Sequence, residues 1–283
     1  MTTTAFDELI GDLRQLKLST MRQTLDDHLR LAQSKSLTYL EFLKGLTTEE
    51  LKGREASAYR RRLKSARFPL TKTLDDFDFL FQPSLTPERI LQLKDCRWVA
   101  NAVNLIFAGQ SGTGKSHLAI ALALVALERG YRVYFTTVAD LLDQVNVATA
   151  GGQLAGFQKR LFKNDVVVLD ELGYLKIDRN QGNFLFRLVS RAYERFSLII
   201  TTNKDFSGWA EIFEDTLQVS AMLDRLLHHS IIFNIQGDSY RIKGKKEDPL
   251  GNFIGHGSKP GPGASSRGKR KSKPAKSFDP VSE

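Results

Sequence analysis

The chain has 283 residues, of which 41% are hydrophobic, and it carries a formal net charge of +9. These values are typical of a folded protein with one large domain or two modest ones. The longest apolar run, residues 118–127, is about half as long as a membrane span, and acidic residues near the start do not fit a secretory signal. A single cysteine, Cys96, excludes an internal disulfide and a cysteine metal cluster. We therefore expect a cytoplasmic protein with no membrane partner.

The positive charge lies at the two ends of the chain. Residues 1–103 carry 17 basic and 14 acidic residues, residues 104–242 carry 14 of each, and residues 243–283 carry 10 and 4. Basic ends on a neutral centre favour a polyanionic partner, most simply nucleic acid. The alternative is that the basic ends serve solubility alone.

Helical periodicity dominates the first part of the chain. Apolar residues recur there at helical spacing, namely Leu9, Leu13, Leu16, Met21, Leu25 and Leu29. Either Ser36 or Thr38 can cap one helix. Thr47 or Thr48, followed by Glu50, can start the next.

A basic cluster lies near the end of this helical segment. Its members are Arg54, Arg60, Arg61, Arg62, Lys64 and Arg67. Consecutive arginines point in different directions around a helix, so only some of them share a face. Contact with backbone phosphates is one interpretation, and a solvated face or an interface with a neighbouring subunit is the other. A second candidate patch, further along, comprises Lys159, Arg160 and Lys163.

After Pro69 the residue pattern of the sequence changes from helical to extended and then to β-rich. Pro69 and Pro83 bracket an aromatic segment that we interpret as a linker. Five short apolar runs follow, "NLIFA", "YRVYFTT", "DVVVLDE", "SLIITTN" and "HSIIFNI", with helical stretches between them. Consecutive apolar residues are typical of strands covered on both faces, so we predict an α/β fold with a five-stranded parallel sheet.

The first of these strands runs into a glycine-rich loop that matches the phosphate-binding pattern G-x-x-x-x-G-K-[ST]. The candidate nucleotide-binding residues are Gly109, Gln110, Ser111, Gly112, Thr113, Gly114, Lys115, Ser116 and His117. In this motif backbone N–H groups surround the phosphates, the lysine reaches the β- and γ-phosphates, and the serine binds Mg²⁺. We therefore expect ATP and Mg²⁺, with Lys115 and Ser116 in these two roles.

Acidic and polar residues at later strand ends favour hydrolysis. Asp170 and Glu171 end the third predicted strand, where Asp170 would complete the Mg²⁺ site and Glu171 would polarise the attacking water. Asn203 follows the fourth strand and is a candidate for contact with the γ-phosphate or the water, or else a turn residue.

Arg225 lies on an amphipathic helix before the last strand. It is either a finger reaching a neighbouring subunit's nucleotide or a partner of Asp224 or solvent.

The stretches "GQSGTGKSHLA", "VVVLDELGYL", "LIITTNKDFSGW", "AMLDRLLHHS" and "GDSYRIK" together resemble the IstB family, transposition helper ATPases of bacterial insertion sequences. The resemblance implies an AAA+ P-loop fold of the initiator clade, close to the helicase loader DnaC. It further implies that Arg225 is the arginine finger, that Arg241 is a sensor arginine, and that residues 138–163 form a helical insertion facing DNA. It implies ATP-dependent self-assembly on duplex DNA without sequence preference, and a transposase partner.

The predicted organisation has four parts. Residues 1–68 form an all-helical N-terminal domain, residues 69–103 are the linker and the entry to the core, and residues 104–246 are the AAA+ ATPase domain. Residues 247–283 are rich in Gly, Ser, Pro and Lys, which predicts a disordered basic tail. Within the same fold a DnaC-like helicase loader is the alternative function, and a nucleotide-switched scaffold that binds only protein is a third.

Overall fold

The computed structural model describes residues 3–242, so the predicted tail lies outside the described residues. Three helices come first: α1 (Thr3–Gln15), α2 (Ser19–Lys35) and α3 (Tyr39–Ala66). They pack on one another through a small apolar cluster centred on Leu13, Leu25 and Leu46. The helical prediction for this part of the chain is confirmed.

The cap of α3 is Thr38, one of the two predicted candidates. Its hydroxyl accepts from the backbone N–H of Glu41, and the Glu41 carboxylate accepts from the Thr38 N–H at 2.9 Å. The predicted helix start at Thr47 or Thr48 is wrong, because α3 continues through both residues. Their hydroxyls donate at 3.0 and 2.8 Å to carbonyls one turn back, a bond that lets threonine lie inside a helix.

Glu50, predicted to help start a helix, instead ties α3 to α2. Its buried carboxylate accepts from the N–H groups of Thr20 and Met21 at 2.8 and 3.0 Å and from Arg54 Nε at 2.8 Å. Burial works to raise its pKa, but the bonds from Arg54 and from the two backbone groups hold that pKa below its usual value. The carboxylate therefore satisfies donors in the first turn of α2 that the helix itself leaves unpaired.

All five predicted strands are present in one parallel sheet. They are β1 (Asn104–Gly109), β2 (Val133–Thr137), β3 (Val166–Leu172), β4 (Ser197–Thr202) and β5 (Ser230–Ile235), in the order β2-β3-β4-β1-β5. Residues on both faces of the central strands are buried, as their uninterrupted apolar sequences predict.

Helices cover both faces of the sheet. One face carries α4 (Pro87–Gln92), α5 (Arg97–Ala100) and α6 (Lys115–Glu128), together with the C-terminal end of α3. The other carries α7 (Val138–Ala150), α8 (Leu154–Leu161), α9 (Arg179–Ala192) and α10 (Thr216–His228). Since all strands are parallel, their carboxyl ends share one edge, and ligands bind at such an edge in open α/β sheets.

The segment between α3 and α4 contains no helix or strand from Phe68 to Thr86. Ala66 at the end of α3 belongs to the same apolar core as the sheet. The domain boundaries drawn from the sequence stay a prediction. No helix in residues 3–242 is long and apolar enough to cross a membrane.

Candidate nucleotide-binding and catalytic site

The glycine-rich loop connects β1 to α6 at the carboxyl edge of the sheet. Gly112 and Gly114 have φ values of 83° and 94°, which side chains rarely adopt. A Cβ at Gly114 would lie 2.6 Å from the ring of Phe77, so the linker packs directly on this loop. The loop borders a cavity of about 450 Å³, lined on its other sides by the linker and by the ends of β3 and β4.

Lys115, the first residue of α6, is buried beside this cavity. Its Nζ donates to the carbonyl of Gln110 at 2.6 Å, which holds the ammonium inside the curve of the loop. Burial lowers the pKa of Lys115, and nearby Asp170 opposes that shift whereas Arg241 adds to it. A cation held this way is placed to meet an anionic group entering the loop.

Two hydroxyl groups, from α6 and β4, converge on one carboxylate oxygen at the end of β3. Ser116 Oγ donates to Asp170 Oδ1 at 2.8 Å, and Thr201 Oγ1 donates to the same oxygen at 2.5 Å. Asp170 and Thr201 are both buried. The hydroxyl of Ser116 and the carboxylate of Asp170 are the hard oxygen ligands that Mg²⁺ prefers, so the residues present fit that ion.

Glu171 adopts a left-handed backbone conformation, with φ of 64°, at a register shift between β3 and β4. Its N–H donates to Thr201 Oγ1 at 2.9 Å, so one threonine hydroxyl contacts both acidic residues. Its side chain is exposed and lines the cavity, whereas Asp170 stays buried. A non-glycine residue in this conformation costs about 1–3 kcal/mol, which the surrounding structure must offset.

The other predicted catalytic residues lie in different places. Arg241 lines the cavity together with Lys115. Asn203 is exposed and lines a neighbouring cavity beside Gly109 and Gln110. A Cβ added at Gly173 would lie 2.6 Å from the Asn203 side-chain oxygen. The residues of β4 that line the nucleotide cavity are Thr201 and Thr202, so the role of Asn203 stays a prediction.

Arg225 projects from the C-terminal end of α10, away from this cavity. Its guanidinium lies 4.9 Å from the centre of the Phe186 ring, and it is exposed. Among residues 3–242 no carboxylate forms an ion pair with it, which removes Asp224 as its partner. Its Nη1 also donates to the Ala221 carbonyl at 3.5 Å, and its role as a finger stays a prediction.

The predicted DNA-binding residues are mostly exposed. Arg60, Arg61 and Lys64 face solvent near the end of α3, whereas Arg62 is half-buried and its Nε has no hydrogen-bond partner in the described part of the chain. On α8, Lys159 lines a groove against α9, and Arg160 does not. Their contact with DNA stays a prediction.

Sequence reasoning missed the linker as part of the site. His117 Nε2 lies 2.7 Å from the Thr73 carbonyl, and its ring meets Phe77 edge to face. Burial lowers the pKa of His117, with the Thr73 carbonyl opposing that shift. Further along, Gln82 Nε2 donates to the Asp238 carbonyl at 3.1 Å. The signal in the sequence was the high aromatic content of the linker, because aromatic side chains are usually buried and a solvent-exposed linker rarely contains many of them.

A phosphate loop after β1, an acid pair at the end of β3 and the strand order β2-β3-β4-β1-β5 together define an AAA+ P-loop protein. The fold agrees with a solved structure of AMPPCP-bound DnaA from Aquifex aeolicus, with a TM-score of 0.50 at 23% sequence identity. That match covers 62% of this chain and 54% of the DnaA chain, and it supports the fold alone.

Within that class, the profile of the IstB-like ATP binding protein family matches residues 11–248, and the chain belongs to this family. A protein of insertion sequence IS5376 from Geobacillus stearothermophilus, named for ATP binding, is 39% identical over 82% of this chain and 92% of its own length. A similarly named protein of insertion sequence IS21 from Pseudomonas aeruginosa is 40% identical over 83% and 89%. The resemblance inferred from the motifs is confirmed.

Proposed function

We propose that this protein hydrolyses ATP and uses the nucleotide to assemble on target DNA for a transposase. The observation that carries hydrolysis is the convergence of Ser116 and Thr201 on Asp170, with Glu171 exposed at the rim of the same cavity. A site that only held nucleotide would not need a second, exposed acid beside the metal ligand.

Each residue has a role that its position supports. Lys115 would leave the Gln110 carbonyl to meet the β- and γ-phosphates, and Ser116 with Asp170 would hold Mg²⁺, which neutralises phosphate charge. The Glu171 carboxylate would accept a hydrogen bond from the attacking water and orient it. Arg241 would meet the γ-phosphate from the same subunit.

The linker side of the cavity is suited to the base. Phe77 of the linker lines it together with Ile120 of α6 and Tyr240, and the three supply apolar and aromatic surface. Flat aromatic and aliphatic walls favour a stacked base, which we take to be adenine because the family is named for ATP binding.

Two substitutions separate binding from hydrolysis. Lys115→Ala should abolish nucleotide binding, measured by fluorescence of a labelled ATP analogue, because no other cation of the loop replaces it. Glu171→Gln should keep that binding and remove turnover, measured as phosphate release. ATP turnover by the Glu171→Gln protein at the wild-type rate would take the proposed role away from Glu171.

DNA binding rests on different evidence, namely the exposed cations of α3 and the membership of a family with insertion-sequence relatives. Replacing Arg60, Arg61 and Lys64 by alanine should weaken binding to duplex DNA of any sequence and reduce its salt dependence. Binding should require ATP, because assembly multiplies weak phosphate contacts. A protein that fails to bind duplex DNA at low salt with ATP present would refute this half of the proposal.

The helicase-loader alternative predicts a preference for single strands and a helicase partner. A direct comparison of single-stranded and duplex DNA of the same length decides between the two. The relatives from insertion sequences support the helper, and co-purification with the transposase is the corresponding protein-level test.

A further inference from the structure

A groove between α8 and α9, here called the basic groove, has only cations among its charged lining residues. It has a volume of about 700 Å³, and its cations are Lys159, Lys163, Arg187 and Arg191. All four are exposed, and within residues 3–242 none pairs with a carboxylate. Ser190 also lines it, and its buried Oγ has no hydrogen-bond partner in the described structure. The groove is therefore short of acceptors and of negative charge.

A second groove, here called the acidic groove, lies beside the catalytic acids. It has a volume of about 490 Å³, and its carboxylates are Asp140, Asp143, Asp170 and Glu171. Asp140 and Asp143 are exposed on the first two turns of α7. Arg67 is the one cation among the lining residues, and it is engaged at 3.4 Å with Tyr134 and Gln144.

The two grooves lie at opposite edges of the sheet. The basic groove belongs to the face covered by α7, α8, α9 and α10, and the acidic groove lies beside the edge strand β2, between α7 and the end of α3. The acidic groove is at the carboxyl edge, because α7 begins directly after β2. The basic groove is at the amino edge, because the C-terminal ends of α8 and α9 lead into the starts of β3 and β4.

Each groove also adjoins one half of the site that the proposed function places between subunits. Phe186 lines the basic groove, and Arg225 rests on its ring at 4.9 Å. Glu171 lines both the acidic groove and the nucleotide cavity. If copies stack head to tail so that Arg225 of one reaches the nucleotide of the next, the basic groove of the first approaches the acidic groove of the second.

We propose that the basic groove of one copy binds the acidic groove of the next copy, with Arg187 and Arg191 facing Asp140 and Asp143. The inference rests on the proposed function, because it takes Arg225 to act on a neighbour. Opposite charges on the two ends of one molecule form a heterologous interface, which generates a ring or a helical filament. A carboxylate in the basic groove also gives the Ser190 hydroxyl the acceptor that it lacks.

Nucleic acid is the competing occupant, since phosphates suit the same cations. The second copy is favoured because the same molecule carries a complementary acidic groove and because Arg225, expected to act on a neighbour, rests against the basic groove. Like charges placed face to face across such a contact are strongly unfavourable, which makes charge reversal a sharp test.

The experiment uses two full-length variants in the presence of Mg²⁺, a non-hydrolysable ATP analogue and a duplex of fixed length. The first carries Arg187→Asp with Arg191→Asp, and the second carries Asp140→Arg with Asp143→Arg. We expect each alone to need about tenfold or more protein for half-maximal assembly, measured by sedimentation. An equimolar mixture should recover assembly to within about threefold of wild type, because every contact in an alternating array is again between opposite charges.

Controls make each outcome decisive. Arg129→Asp with Lys35→Asp makes the same charge change at exposed positions outside the groove and should assemble like wild type. Binding of the ATP analogue by each variant shows that it is folded.

Loss of assembly only in the first variant, with no recovery on mixing, would assign the groove to nucleic acid and overturn the proposal. Wild-type assembly of either variant, failure of the mixture, or an equal loss in the control would also overturn it. A wild-type protein that does not assemble with ATP would instead refute the proposed function.

Discussion

Replacing Thr201 by valine should reduce hydrolysis far more than nucleotide binding. The Thr201 hydroxyl contacts both acidic residues, since it accepts from the Glu171 N–H and donates to Asp170. Valine has nearly the same shape and removes only the hydroxyl, so the buried strand keeps its packing. Without that acceptor, Glu171 loses a hydrogen bond that supports its left-handed conformation with φ of 64°.

The size of the effect follows from the two hydrogen bonds. The bond from the Glu171 N–H contributes about 0.5–1.5 kcal/mol and the bond to the charged Asp170 about 1.5–3 kcal/mol, so stability should fall by about 2–4.5 kcal/mol. Relaxation of Glu171 moves the carboxylate that orients the water. If about 1.4–2.8 kcal/mol of that loss appears in the transition state, kcat falls about 10–100-fold.

Phosphate release under saturating ATP measures kcat, and chemical denaturation measures stability. Thr201→Ser keeps the hydroxyl and should restore most of the rate. Thr202→Val is the matched control, because Thr202 is equally buried in β4 but bonds only to the backbone of Lys204. It should lose stability without the loss of kcat. Wild-type turnover by Thr201→Val would refute the argument that this hydroxyl positions Glu171.

Three further predictions concern other parts of the chain. Glu50→Gln should lower the free energy of unfolding by about 1–3 kcal/mol at pH 7, because the carboxylate bonds two N–H groups of α2 and Arg54. Because the pKa of Glu50 in the folded protein lies below the ordinary 4.5, the loss of unfolding free energy in Glu50→Gln is complete above about pH 4.5 and shrinks as pH falls through the folded pKa. Equal losses of unfolding free energy at pH 7 and pH 3 would contradict this prediction. Gly114→Ala should weaken ATP-analogue binding at least about tenfold, because φ is 94° and the new methyl would lie 2.6 Å from Phe77; unchanged fluorescence titrations would count against the packing of the linker on the loop. Arg225→Ala should leave nucleotide binding by the monomer unchanged and lower hydrolysis by the assembled protein about 10³-fold, and an unaltered rate of phosphate release would remove Arg225 as a residue acting on a neighbour.

The sequence predicted those parts of the fold and site that are local in the chain. Each strand is a short apolar run, and the glycine-rich loop is one continuous stretch, so neither needs knowledge of distant contacts. The bulge at Glu171 was not predictable, because it depends on Thr201, 30 residues away. The same holds for Glu50, whose bonds reach back 30 and 29 residues to α2, and whose position suggested a helix start that α3 does not have.

The linker contacts the phosphate loop beside the nucleotide cavity and connects that loop to the last of the N-terminal helices. Phe77 and the Thr73 carbonyl hold the linker on the phosphate loop, and Ala66, where α3 ends, lies in the core shared with α6. Linker residues such as Phe77 line the cavity, so a nucleotide bound there would favour one linker position and, with it, one position of the basic residues on α3. Binding free energies at linked sites are reciprocal. If the proposed DNA binding takes place on α3, DNA must therefore change nucleotide affinity by the same factor by which nucleotide changes DNA affinity, with no contact between the two ligands.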